Sequence, residues 1–241
     1  MLKAVIFDLD GVIADSHPIH EAAWKTLFAE QGLDAENLNL DFLYAGQPRG
    51  EIFRHFFGEL PSAKFETLSR RKDELYTALV GALQPKPGLA RVLRELAAAG
   101  IAMAVGTSAQ RRRTLETLDH FGVAERFGAV VTGDDVGATK PAPEIFLRAA
   151  ELVGAQPAET VVVEDSPVGI EAARAAGMKC VGYAPPERVE QLRKAGADDL
   201  ILEFPLHAVE YFSRIVALGA PAHPAAAAQK TNSAAPREKG V

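Results

Sequence analysis

Cysteine is nearly missing from this chain of 241 residues, occurring only as Cys180. No intrachain disulfide can form, which fits a reducing compartment. An excess of positive charge is missing too: 26 Lys and Arg stand against 32 Asp and Glu, a formal net charge of −6. A chain of that sign offers no overall electrostatic footprint for nucleic acid or an acidic membrane surface. Long hydrophobic runs are also absent. No stretch approaches the roughly 18 uninterrupted apolar residues that a membrane span needs. The opening run, residues 1–7, is too short for a signal peptide and ends at Asp8. The expectation is a cytoplasmic monomer whose partner is neither nucleic acid nor membrane. Cys180 lies in an apolar run, so it reads as a small buried residue of a late strand rather than a catalytic thiol.

What is present is an ordinary globular composition, 48% hydrophobic and 24% charged. Five short apolar runs recur, at residues 4–7, 101–105, 129–131, 161–163 and 180–181. Most are rich in β-branched residues and read as strands buried on both faces, as in a parallel sheet. From residue 86 onward helical patterns alternate with them. In residues 143–153, Ile145, Phe146, Ala149, Leu152 and Val153 share one face at helical spacing, and Gly154 stops the helix. Residues 89–99 and 168–176 behave alike, each followed by a glycine, Gly100 or Gly177. This alternation predicts an α/β fold with a doubly wound parallel sheet.

Residues 16–83 break the rhythm. They carry helical patterns, at 17–31 and 65–82, and no convincing strand. Pro18 suits a first helical turn, and Gly81 with Pro85-Lys86-Pro87-Gly88 marks a return to the sheet. The expected organisation is a core of residues 1–15 and 84–219, a small all-helical cap of residues 16–83 inserted after the first strand, and a disordered tail of residues 220–241. The tail is small, polar and proline-punctuated.

In sheets of this type ligands bind beyond the carboxyl ends of the strands. Asp8-Leu9-Asp10-Gly11 follows the first run and Gly106-Thr107-Ser108 the second. A loop ending in Lys140-Pro141 follows the third, and Glu164-Asp165-Ser166 the fourth. One edge therefore collects Asp8, Asp10, Glu164, Asp165, Lys140 and the Thr107 hydroxyl. Two like charges about 4 Å apart cost about 4 kcal/mol even at an effective dielectric of 20. Positive charge must sit among them. Lys140 offers one unit, and a hard divalent cation on oxygen-only ligands, Mg²⁺, offers two. That arrangement suits phosphoryl transfer: a carboxylate attacks phosphorus, the cations neutralise the transferring group, and a second acid moves the proton. Each motif alone has an ordinary explanation as a turn, a helix cap or solvated surface. Their occurrence at successive strand ends, in one order, does not.

These segments resemble the haloacid dehalogenase superfamily over about residues 1–215. The matching motifs are Val5-Ile6-Phe7-Asp8-Leu9-Asp10-Gly11-Val12, Gly106-Thr107-Ser108, Lys140-Pro141-Ala142-Pro143-Glu144 and Val163-Glu164-Asp165-Ser166. The resemblance implies Asp8 as nucleophile and Asp10 as general acid/base. It implies Mg²⁺ held by Asp8, the Asp10 backbone carbonyl and Asp165, with Glu164 binding directly or through water. Thr107, Ser108 and Lys140 would bind the phosphoryl group. An acid at position 10 separates phosphatases and phosphomutases from dehalogenases. The insert looks like the cap of the subgroup containing β-phosphoglucomutase and related sugar phosphatases. On that likeness His20 would help Asp10 engage the acceptor hydroxyl, and Arg49 would hold the distal phosphate of a bisphosphate. Lys72 would hold a sugar or phosphate oxygen, and Gly46 belongs to the same cap motif. Trp24 reads equally as cap core, and Lys25 as solvated surface. Mutases of the subgroup carry a basic residue where this chain has Ala45.

The expectation is a magnesium-dependent phosphatase acting on a small phosphorylated metabolite, a sugar phosphate, through an aspartyl-phosphate. A β-phosphoglucomutase is the alternative. A phospho-accepting signalling domain shares the residue types, but it places the phosphorylated Asp on a later strand and usually lacks an insert. A non-catalytic sugar-phosphate binder fits a complete catalytic set poorly.

Overall fold

The computed structural model describes residues 1–44 and 48–218. Positions 45 and 46 and the expected tail, 220–241, lie outside the described residues. Six strands form one parallel sheet: β1 (Ala4–Phe7), β2 (Ala102–Gly106), β3 (Ala129–Val131), β4 (Thr160–Glu164), β5 (Lys179–Tyr183) and β6 (Asp199–Ile201). Their order is β3-β2-β1-β4-β5-β6. The chain moves outward one way from β1 and then the other way from β4. The topological switch point therefore falls between β1 and β4, where such sheets bind ligands.

Alternating strand residues face opposite layers. Val5 and Phe7 join Val105, Val161, Val163 and Val181 on one side. There they pack against α4 (Leu89–Ala98) and α9 (Ala208–Ala217) through Leu93 and Phe212. Ile6, Ala104, Val162 and Cys180 face the other side. They meet α6 (Glu144–Leu152) and α7 (Pro167–Ala175) through Phe146 and Ile170. Each fully buried Val, Ile or Phe contributes roughly 1.5–3 kcal/mol. Burial on both faces is why the central strands read as unbroken apolar runs. Cys180 is buried as expected, and burial pushes its thiol well up.

β6 is a correction to the five expected strands. Its three residues open on Asp199, and only Ile201 is buried. It is an edge strand, wet on one side, so it lacks the apolar signature of the others. Three further helices in this part of the chain went unforeseen: α5 (Arg111–His120), α8 (Val189–Ala195) and α9.

Residues 16–83 contain no strand among the described residues. They supply α1 (His17–Glu30), α2 (Arg49–Phe57) and α3 (Ser62–Leu79). α1 ends one residue before the expected boundary. α3 starts three residues earlier than expected and runs on into a short turn at Val80–Ala82. These helices have their own core around Trp24, Leu27, Phe28, Phe53 and Leu68. Trp24 stacks on Phe28 at 5.5 Å and meets Phe53 edge-on at 5.3 Å. Its cap-core reading holds. Lys25 pairs with Glu21 at 3.0 Å on the surface. The segments leaving and re-entering the sheet run antiparallel side by side. Asp15 N donates to Gln84 O (2.8 Å) and Lys86 N to Ile13 O (2.9 Å).

Candidate active site

The register of β1 and β4 builds the centre of the site. Phe7 pairs with Val163, so the next residues, Asp8 and Glu164, stand side by side at the strand ends. Lys140 reaches both from the loop after β3: its Nζ donates to Asp8 Oδ1 (2.5 Å) and Glu164 Oε1 (2.8 Å). Glu164 Oε2 accepts from Ser166 N (2.6 Å) and Ser166 Oγ (2.9 Å). Ser166 Oγ in turn accepts from Gly169 N at 3.2 Å and caps α7. Two glycines make room. A Cβ on Gly169 would lie 1.8 Å from Glu164 Oε1, and one on Gly11 would lie 2.2 Å from Asp165 Oδ2. Gly11 also holds a φ of +76°, which other residues rarely adopt.

Asp8, Glu164 and Asp165 offer carboxylate oxygens that all lie within 4.8 Å of one another, and all three residues are buried. Burial pushes Asp8 well above the usual carboxylate range; Lys140 opposes that, and Glu164 and Asp165 add to it. Burial alone would lower Lys140, but Asp8 and Glu164 hold its ammonium above the ordinary value. Arg188 Nη1 stands 3.5 Å from Asp165 Oδ2, and His17 Nε2, from the start of α1, stands 2.8 Å from the same oxygen. At the end of β2, next to β1, Thr107 Oγ1 accepts from Ala109 N at 3.1 Å, which leaves its own proton free to donate. Ser108 is exposed beside it and lines the same cavity.

The Asp10 carboxylate is not part of the acid cluster. Arg113, on α5, grips it with two donors: Nη1 to Oδ1 (2.9 Å) and Nη2 to Oδ2 (2.5 Å). Burial would raise Asp10, but the Arg113 charge and the His20 contact overcome it and hold the carboxyl well below its usual range. Arg113 also reaches Tyr76 Oη on α3 at 3.2 Å and lies over its ring. His20 Nε2 is 3.4 Å from Asp10 Oδ1, and its Nδ1 is 3.2 Å from Lys72 Nζ. Lys72 is buried and sits 5.2 Å over both the Trp24 and Tyr76 rings. Desolvation lowers the His20 imidazole to about 4 and the Lys72 ammonium to about 7. A neutral His20 accepting from Lys72 at Nδ1 carries its proton on Nε2, facing Asp10. Farther along the helical wall Arg49 forks onto Asp73, Nη1 to Oδ2 (2.9 Å) and Nη2 to Oδ1 (2.5 Å).

Apart from Tyr76 and Arg188, these charged and hydroxyl groups line one cavity of about 620 Å³ between sheet and helices. The pattern of the haloacid dehalogenase-like hydrolases matches residues 5–183. The chain belongs to that family. Fructose-1-phosphate phosphatase YqaB of Escherichia coli is 37% identical over 180 residues, covering 73% of this chain and 94% of YqaB. Beta-phosphoglucomutase of Bacillus subtilis is 34% identical over 190 residues, covering 75% and 83%. A solved variant of CbbY from Rhodobacter sphaeroides, in complex with xylulose-(1,5)bisphosphate, superposes with a TM-score of 0.70 at 28% identity, covering 84% of this chain and 95% of that one. The chain is thus a phosphatase or phosphomutase of the family, and its parallel sheet with helical cap is the family fold.

Enzymes of this family use a divalent metal ion, and the residues here fit one. The donors are all oxygen, they are buried together, and the cations in contact, Lys140 and Arg188, do not balance three carboxylates. The structure brings together Asp8, Thr107, Lys140, Glu164 and Asp165 at the sheet edge, and Asp10, His20 and Lys72 at the helical wall. It does not bring the Asp10 carboxylate into the acid cluster. Arg49 lines the cavity already neutralised. Gly46 lies outside the described residues. Sequence reasoning missed Arg113, Tyr76, Asp73, His17 and Arg188. Arg113 ends the run Arg111-Arg112-Arg113, which reads as a solvated charge cluster. Only the tertiary fold brings one of the three to Asp10 and Tyr76.

Proposed function

We propose that this enzyme is a Mg²⁺-dependent phosphatase that hydrolyses the monophosphate ester of a small sugar by way of a phosphorylated Asp8. The observation that carries the reading is the buried set Asp8, Glu164, Asp165 and Lys140 facing Thr107 across one cavity, with an acid two residues on. Residues 1–15 and 84–219 act as the catalytic core and 16–83 as the cap. The enzyme works as a cytoplasmic monomer on a diffusible metabolite.

Asp8 would attack phosphorus as its carboxylate, and the bond from phosphorus to the ester oxygen would break. Thr107 and Lys140, with Ser108 beside them, would hold the phosphoryl oxygens. Asp8, the Asp10 carbonyl and Asp165 would hold Mg²⁺, which supplies positive charge against the phosphoryl oxygens. Both oxygens of Glu164 already have partners, which favours its contact through water. Asp10 would protonate the leaving oxygen and then take a proton from the water that hydrolyses the aspartyl-phosphate. Gripped by Arg113 it is a carboxylate, the form suited to the second step. For the first it must leave the fork and carry a proton. His20 and Lys72 would contact the sugar's oxygens.

The test is incubation with Mg²⁺ and a panel of sugar monophosphates, including β-glucose 1-phosphate with and without glucose 1,6-bisphosphate. Free phosphate and glucose 6-phosphate are both measured. Phosphate release without the bisphosphate is the expected outcome. Bisphosphate-dependent isomerisation would instead select the mutase, and no phosphate from any ester would end the phosphatase reading.

A further inference from the structure

The cap wall contains a pair that changes what the far end of the cavity accepts. Arg49 opens α2 and faces α3. Asp73 engages two of its N–H groups, and the Ser69 carbonyl accepts a third contact at 3.3 Å. All three residues line the same cavity as Asp8. An isolated arginine there would welcome a second phosphate, because a planar fork matches two phosphate oxygens. This one is already matched, by a carboxylate of opposite charge. The pair as a whole is neutral and presents acceptor oxygens beside the guanidinium edge. That surface suits hydroxyl groups, which donate to carboxylate and accept from N–H at once. A second phosphate, arriving as a dianion, would have to displace Asp73 or lie against it. Among the described residues of this wall, the other cation, Lys72, lies over two aromatic rings and is occupied with His20.

We propose that Asp73 is a specificity-determining residue: by neutralising Arg49 it makes the site take monophosphates with an uncharged, hydroxylated remainder and turn away those carrying a second phosphate. The inference rests on the proposed function, with the first phosphate held at Asp8. It works by repulsion as much as by attraction, which is how close analogues are usually separated.

Binding is measured by calorimetry on Asp8→Asn enzyme with Mg²⁺, so that nothing turns over. The ligands are inorganic phosphate, glucose 6-phosphate and glucose 1,6-bisphosphate, and each is titrated with Asp73 intact, with Asp73→Asn and with Asp73→Glu. Asn keeps the shape and one acceptor for Arg49 but removes the charge. With Asp73 intact, glucose 6-phosphate should bind more tightly than the bisphosphate. Asp73→Asn should shift the ratio toward the bisphosphate by about tenfold or more, the scale of one opposed charge at moderate dielectric. Asp73→Glu should leave the preference on the monophosphate side. An unchanged ratio in Asp73→Asn, or a bisphosphate preference with Asp73 intact, overturns the proposal while inorganic phosphate binding keeps the first site. Binding of inorganic phosphate but of neither sugar ester overturns the assigned substrate class. No binding of inorganic phosphate would count against the proposed function itself.

Discussion

The cavity has two walls, and their charges are held differently. On the sheet side Lys140, Asp8 and Glu164 have side chains 4%, 8% and 1% exposed. On the cap side Arg49 and Asp73 are 35% and 43% exposed. A buried charge that loses its partner is costly, so the sheet-side set is fixed. A half-wet pair is worth little to stability and can exchange partners. The Arg49–Asp73 pair can therefore vary without endangering the fold, whereas the sheet edge cannot lose the lysine that its carboxylates share. Asp10 stands between the two walls, joined to the sheet through β1 and to the cap through Arg113, Tyr76 and His20.

The sharpest way to break this contrast is Asp8→Asn. Turnover of any phosphate ester should fall by at least roughly 10⁴-fold, since the amide cannot attack phosphorus. The melting temperature should not fall, because the change removes a carboxylate that burial disfavours. Retained turnover would place the chemistry elsewhere. Next comes Lys140→Met, which leaves Asp8 and Glu164 without their shared cation. Denaturant titration should show a loss of about 3–5 kcal/mol, the usual consequence of breaking a buried ion pair from one side. A change below about 1 kcal/mol would mean that the two walls are not so different after all.

Arg113→Met probes the bridge. Turnover of alkyl phosphates should drop about 10–100-fold, the effect of misplacing an acid/base group. p-Nitrophenyl phosphate, whose leaving group needs no proton, should lose much less. Arg113→Lys should recover part of the difference. Equal losses on both esters would show that Arg113 acts on the fold rather than through Asp10.

The smallest effect belongs to the cap. The folded value of Lys72, about 7, lies below its ordinary 10.5, so between those values the unfolded chain binds more protons. Stability should therefore rise with pH across that window, and the rise should shrink in Lys72→Met. An anionic substrate favours the charged form, so KM should climb several-fold as pH passes through 7 and stay flatter in the variant. Parallel pH profiles for the two proteins would remove Lys72 from substrate contact.

The centre of the site was legible because its residues stand at strand ends or, for Lys140, close the loop that follows one. Asp8, Thr107 and Glu164-Asp165 each end or follow an apolar run, Lys140 closes the loop after another, and a parallel sheet brings all such ends to one edge. β6 escaped because three residues on a wet edge carry no apolar pattern. Arg113, Asp73 and Tyr76 escaped for another reason. They sit on helices, where charged and aromatic residues look alike whether they face solvent or a cavity, and they take their meaning from partners 103, 24 and 37 residues away in sequence.

By itself the sequence determined the strand-end acids, the lysine between them and the helical insertion, since each is written as a local pattern of apolar period and punctuation. Tertiary structure alone decided that Asp10 is gripped by Arg113 and that Arg49 is neutralised by Asp73. Those choices depend on how helices pack against the sheet and one another. Packing sums many weak contacts over the whole chain, and no short segment records the result.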